Sequence, residues 1–306
     1  MPATLPDGTP LPSPTSTGPS SGVALTAFDA ANGLRVSTPG QLVQNLAITG
    51  WVEITAPNVT ITNCTLNGPT TLSGGGMLTI DAGASNCTIQ NMRFTGGPTN
   101  SSAIQSNGAG AQILNCAFVN LPVQGVYSSQ SVTIHGCYFH DVGWDAAGIK
   151  SNPLEPLFNG LAHTEDIYIA GGSYSVITSN NLDTPIASIE NGVNYAQSTA
   201  EIFYDPQGGA IEGPAMISNN VIAGDGIFTG TPPGPIFYLM GQGPYQIANN
   251  RIGQLTFHGT YIYDRFIGGP WTWSGNLDQS GRAIPPPRGL PFPAAQPKSA
   301  PRKFNG

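Results

Sequence analysis

The chain has 306 residues, a formal net charge of −7 and only 9% charged residues, with 40 glycines and 28 prolines. An ordinary globular domain is about 25% charged. The composition therefore argues against helical bundles and coiled coils, whose surfaces need Glu, Lys and Arg, and against binding to a phosphate backbone, which needs many cations. The 39% hydrophobic content is nonetheless enough for a large core.

The first stretch, MPATLPDGTPLPSPTSTGPSSG, has neither a basic start nor an apolar run, so no signal peptide is expected. No stretch approaches 18 continuous apolar residues, so no membrane span is expected either. Val23–Asn32 is the one segment with a trace of helical periodicity, and a short capping helix is predicted there.

From about residue 41 the chain repeats itself. Seven segments share the order apolar, any, usually Asn, usually Cys or Asn, any, apolar. They begin at Ile61, Ile89, Ile113, Ile134, Ile177, Ile217 and Ile247. Start-to-start spacings are 28, 24, 21, 43, 40 and 30 residues, and each of the two long gaps is expected to hide a degenerate coil. Runs such as Asn58-Val-Thr-Ile-Thr62 alternate apolar and polar residues, the period of a half-buried strand. A repeat of 20–30 residues built from short strands describes a parallel β-solenoid, here of roughly ten coils and about 50 Å in length.

Stacking places equivalent residues above one another. Asn63, Asn91, Asn115, Asn219 and Asn249, with Asn180, Asn220 and Asn250 beside them, are expected to form a ladder: Asn tolerates left-handed turns, and its amide can bond the coils above and below. Cys64, Cys116 and Cys137 fall at the fourth repeat position. Stacked thiols lie near the coil spacing, too far apart for a disulfide, so reduced and buried cysteines are expected, Cys87 included. Towards the end, Tyr261, Tyr263, Phe266, Trp271 and Trp273 either close the core as a cap or form a sugar-stacking platform.

All 17 acidic residues precede residue 279, whereas Arg282, Arg288, Lys298, Arg302 and Lys303 crowd the last 25 positions. A cationic tail after an acidic body can be held on an acidic surface, its own or a partner's. The expected organisation is a proline-rich N-terminal arm with a possible helical cap (1–36), a β-helix (37–284) and a proline-rich basic tail (285–306). Such arms have little to bury and are expected to dock on a partner.

The densest polar constellation is His140, Asp141, Asp145, Lys150, His163, Glu165 and Asp166. Paired carboxylates there would serve glycoside hydrolysis as acid and base; Ca²⁺ with a basic proton acceptor would serve uronate elimination. Solvated polar residues of a surface loop are the simpler reading. No zinc spacing or phosphate loop is present, so no metal or cofactor is expected.

Several stretches in order resemble a known family: Ser37-Thr-Pro-Gly40, Ala56-Pro-Asn-Val-Thr-Ile-Thr-Asn63, Phe139-His-Asp-Val-Gly143, Ala162-His163 leading into Ile167-Tyr-Ile-Ala-Gly-Gly-Ser173, and Trp273-Ser-Gly-Asn-Leu-Asp-Gln-Ser-Gly281. Over roughly 36–284 the chain is similar to the right-handed parallel β-helix proteins of actinobacteria and their phages. Many relatives carry His-x-Asp-Gly-hydrophobic-Gln where this chain has His163-Thr-Glu165-Asp166-Ile-Tyr168. The resemblance implies an all-β, single right-handed β-helix. It leaves the function open among lyases, hydrolases, adhesins and phage tail proteins. The expected role is a structural or adhesive virion component, tail-associated, assembled in the host cytoplasm and docking on other virion subunits through its arms. Arg288, Lys298, Arg302 and Lys303 are the docking candidates, and Trp271, Trp273, Tyr261 and Tyr263 are the cap or host-glycan candidates. The competing expectation is a polysaccharide hydrolase or lyase using Asp141, Asp145, Lys150, His163, Glu165 and Asp166.

Overall fold

In a computed structural model of the protein the repeat becomes stacked strands. The structure describes residues 3–69, 75–97, 101–142, 164–171, 174–183, 189–190, 193–194, 198–205, 214–222, 237–239, 244–253, 262–264 and 271–286. These hold 28 β-strands and no helix, and every strand pairing is parallel except one small hairpin, Ile189–Glu190 with Val193–Asn194.

Each coil has three faces. Face A is a nine-stranded parallel ladder running from Leu42–Gln44 to Trp271–Ser274. The other 17 ladder strands divide between face B, which contains Thr65–Gly68, Ala117–Leu121 and Tyr138–Val142, and face C, which contains Leu78–Ile80, Gln124–Ser128 and Thr164–Ile169. The first two strands, Thr26–Val36 and Leu46–Ile54, are long enough to bend across both faces. Gly50, at φ +127°, sits at that bend. A β-carbon there would lie 2.2 Å from the Ala30 carbonyl oxygen.

The corner from face A to face B repeats one local device. Asn45, Asn63, Asn91, Asn115, Gly136, Ser179, Asn219, Asn249 and Gly275 all have φ between 50° and 68°. This is the left-handed region that Asn and Gly enter most readily. Each N–H in the run from Asn45 to Asn249 donates to a carbonyl of the following coil, as Asn91 does to Leu114 and Asn249 to Ser274.

One residue further on, the side chain turns inward and is fully buried. This column reads Cys64, Met92, Cys116, Cys137, Asn180, Asn220, Asn250, Asn276, none more than 1% exposed. Its lower half is an amide ladder. The Asn220 side-chain amide donates to Asn250 Oδ1 (2.9 Å) and to the Ile177 carbonyl (3.0 Å), while its own Oδ1 accepts from the backbone and side-chain nitrogens of Asn180 (2.9 and 3.0 Å). Asn250 and Asn276 repeat the pattern. At the junction the Cys137 N–H donates to Asn180 Oδ1 at 2.8 Å. All four cysteines are free and buried, as expected, and Cys87 lies outside the column against the Ala56 and Ala84 carbonyls.

On face B the core column runs Leu66, Phe94, Phe118, Phe139, Leu182, Ile222, Ile252. The three rings stack nearly parallel at 5.1 and 4.5 Å.

Four expectations change. Val23–Asn32 is not a helix: Thr26–Val36 is a strand paired in parallel with Leu46–Ile54, because stacking on the coil below satisfies its backbone. The two long repeat gaps hide no coil. Val132–His135 pairs directly with Ser175–Thr178, and Val176–Thr178 with Met216–Ser218, so the extra residues are insertions. Nine face A strands at about 4.8 Å then give a rod of roughly 40 Å. Finally, residues 3–22 do fold on their own chain. They run along the outside of the corner: Asp7 N–H donates to Asn219 Oδ1 (3.0 Å), Asn181 Nδ2 to the Pro12 carbonyl (2.9 Å), Arg93 to the Pro14 carbonyl (2.7 Å), Gly18 N–H to the Asn115 carbonyl (2.9 Å) and Ser20 N–H to Asn63 Oδ1 (2.6 Å).

The last described coil is closed by a turn. Asp278 accepts from Ser280 Oγ (2.6 Å), Arg282 N–H (2.9 Å) and Arg282 Nε (2.9 Å), which holds its carboxyl far below the usual range. Trp273, half-buried against the core, donates from its indole to the Ile284 carbonyl at 2.9 Å.

Candidate functional site

The polar constellation expected around residues 140–166 divides between two faces. On face B, Tyr138 and His140 point outward from one strand. The next strand brings Asn181 opposite Tyr138 and Asp183 opposite His140. His140 Nδ1 donates to the Asp183 carbonyl (2.8 Å) and lies 3.4 Å from its carboxylate, while Nε2 lies 3.3 Å from the Asp141 carboxylate. The Asp183 hydrogen bond, reinforced by Asp141, raises the His140 pKa to about 9 against partial burial. Asp141 occupies the left-handed region (φ 54°), and burial raises its own pKa. Tyr138 stacks on the imidazole at 5.7 Å, and burial beside the two carboxylates pushes its hydroxyl up to about 12.

The N-terminal arm crosses this corner. Together they form an open groove of about 290 Å³ lined by Leu11, Pro12, Pro14, Tyr138, Asn181 and Asp183. The arm also explains why Ala117, Tyr138 and Asn181, outward-facing residues in one column, are all buried.

Glu165 and Asp166 lie on face C, in the strand Thr164–Ile169. Gln124 Nε2 donates to Glu165 Oε2 at 2.6 Å, and Gln124 Oε1 accepts from Ser102 Oγ at 3.0 Å, a polar line across three coils. Asp166 and Glu201 stand between the register pairs Glu165/Ala200 and Ile167/Ile202, so the two carboxylates occupy matching places on adjacent strands, and both are buried. Next to them Tyr127, Tyr168 and Phe203 stack at 5.3 and 4.9 Å. The Tyr168 hydroxyl donates to Asp205 at 3.2 Å, and burial together with that carboxylate raises its pKa far above the usual value. The rings present faces to one another and edges outward, which suits cohesion between coils better than stacking on a sugar.

Of the expected site residues, His140 and Asp141 are brought together, whereas Glu165 and Asp166 belong to another face. Asp145, Lys150, His163, Tyr261, Arg288, Lys298, Arg302 and Lys303 lie outside the described residues. Trp271 and Tyr263 are placed by backbone register alone, opposite Tyr245 and Tyr238. Asp183 was missed although the repeat points to it: it is the seventh residue counted from Ile177, as His140 is from Ile134. Counting one coil of 20–25 residues on from His140 reaches His163 instead, because it leaves the insertion out of account. Glu201 and Asp205 carry no repeat signal. Among the described residues no three His, Cys, Asp or Glu side chains are grouped to hold a metal ion, and no helix is long and apolar enough to cross a membrane. No family model, curated protein or solved structure matches the chain.

Proposed function

We propose that this protein is a non-enzymatic rod, a structural or adhesive component of a bacteriophage particle and part of its tail. The observation that carries the reading is the use to which its polar repeat residues are put. The buried amides of Asn180, Asn220, Asn250 and Asn276 are spent on bonds between coils, and His140 is clamped between two carboxylates. A parallel strand crossover is right-handed in about 98% of cases, which supports a right-handed winding. The basic residues Arg288, Lys298, Arg302 and Lys303 would dock on an acidic partner subunit, with host glycan a further partner.

Mass spectrometry and gold labelling of purified particles test the reading directly: the protein should be present at a stoichiometric ratio to a tail or capsid subunit. Deleting residues 285–306 should abolish incorporation while the isolated protein keeps its β-sheet circular dichroism. Normal incorporation of the truncated protein refutes arm docking, and absence from particles refutes the virion assignment.

A second reading, a carbohydrate-active enzyme, is favoured by one observation, the matched buried carboxylates Asp166 and Glu201. It requires glycan turnover that is lost in Asp166→Asn and Glu201→Gln.

A further inference from the structure

Among the described residues, the first coil of the solenoid has no counterpart of the Asp278–Arg282 turn that follows the last strand of face B. The strand Thr26–Val36 pairs along one edge with Leu46–Ile54, and among the described residues no strand pairs with its outer edge. The same holds for Leu42–Gln44 on face A, which pairs only with Thr60–Thr62. Four large hydrophobic side chains are exposed among the described residues, and three of them, Val23, Phe28 and Leu42, are at this end. Phe28 is a core residue without a roof: it stands in register with the buried Ile48, yet is 37% exposed. Unpaired strand edges with apolar neighbours are templates for further pairing.

We infer that this end binds a second copy of the chain, head to head, about a two-fold axis perpendicular to the rod and passing through the corner between faces B and C. The geometry selects that partner. Such an axis exchanges faces B and C and reverses strand direction, so the face B half of one first strand meets the face C half of the other in antiparallel pairing. The strand bends where its register slips, between Ala30 and Leu34, which centres the axis on residue 32. Residue numbers across the interface then sum to about 64: Phe28 faces Val36, Asp29 faces Arg35 and Ala30 faces Leu34.

Three features agree with this register. Inward residues meet inward residues, since Phe28, Leu34 and Val36 stand above Ile48, Val52 and Ile54. The two charged residues of the strand, Asp29 and Arg35, fall opposite each other twice, once on each side of the axis, and opposite charges directly across a pair are stabilising. Arg35 has room for this second partner: its side chain is 66% exposed although it lies 3.5 Å from Glu53. On face A the axis emerges through Val43, so Leu42–Gln44 pairs with its own copy and the exposed Leu42 is brought to the interface. A closed two-fold contact of this kind uses both open edges of this end at once.

The inference goes beyond the proposed function and holds for the isolated protein. Analytical ultracentrifugation of the full chain at micromolar concentration should show a dimer. Asp29→Arg and Arg35→Asp, each setting like charges opposite, should weaken dimerisation by roughly tenfold or more, and the double variant should restore it. Glu53→Gln controls for the internal ion pair and should leave the dimer intact. Phe28→Asp should yield a monomer with unchanged β-sheet circular dichroism. A monomeric wild-type chain overturns the proposal, and so does a dimer indifferent to Phe28→Asp. A dimer lost in both single charge variants but not rescued by the double variant overturns the register.

Discussion

The backbone and side-chain nitrogens of Asn180 both donate to a single atom, Asn220 Oδ1, at 2.9 and 3.0 Å. The relation repeats from Asn220 to Asn250 and from Asn250 to Asn276. It makes the ladder a continuous chain in which each amide is acceptor to the coil before it and donor to the coil after it. Buried polar groups are tolerated only when satisfied, and here satisfaction requires the next coil to be in place.

Breaking the ladder should therefore be expensive. Asn220→Leu removes the acceptor for two buried donors and the donor for the Ile177 carbonyl. At about 1–3 kcal/mol for each group left unsatisfied, a loss of about 3 kcal/mol or more is expected in chemical denaturation. The neighbouring Asn249→Gly should cost far less, about 1 kcal/mol or below, because glycine enters the left-handed region freely.

Phe118 sits between two stacked rings and is fully buried. Phe118→Ala is expected to cost about 3–5 kcal/mol. Phe118→Leu, which reproduces the column residue found at Leu66 and Leu182, should cost clearly less in the same denaturant titration.

His140 gives the protein a pH dependence of defined sign. Its pKa is raised from 6.5 to about 9 in the folded state. The folded protein thus holds a proton that the unfolded chain releases earlier, and the stabilisation is complete below about pH 6.5 and lost as pH rises through about 9. Thermal unfolding should show wild type above His140→Gln at mildly acidic pH, with the gap closing in alkali. A gap that widens with pH would contradict the ion triad.

The N-terminal arm should be removable from its groove by a point change. Gly18 has φ +81°, and a β-carbon there would stand 3.4 Å from Arg93 Cβ and 3.8 Å from Ala117 Cβ. Gly18→Val should leave the solenoid folded but make residues 3–22 several-fold more susceptible to limited proteolysis.

The cysteines should be inert. Burial raises the pKa of Cys64, Cys87 and Cys137, and thiolate is the reactive form. A thiol reagent should label no cysteine in the native protein and four after denaturation; rapid labelling of a native cysteine would place it outside the core.

The sequence by itself determined what a stacked repeat encodes. The apolar and Asn positions counted from Ile61 to Ile247 specify the coil, its left-handed corner and the buried column of thiols and amides, because each coil presents the same local problem and solves it with the same residues. Asp183 was legible too, through repeat phase. Only the tertiary structure decided the rest. Whether a 43-residue gap is a coil or an insertion depends on which strands pair, and Val132 with Ser175 settles it. The division of the polar constellation between faces B and C follows from that insertion. The path of the N-terminal arm rests on contacts such as Asp7 with Asn219, 212 residues apart, and so distant a pairing leaves no periodic trace in the chain. The trace of helical pattern at Val23–Asn32 yielded for the same reason: an open strand edge on the coil below satisfied that backbone better than a short isolated helix could.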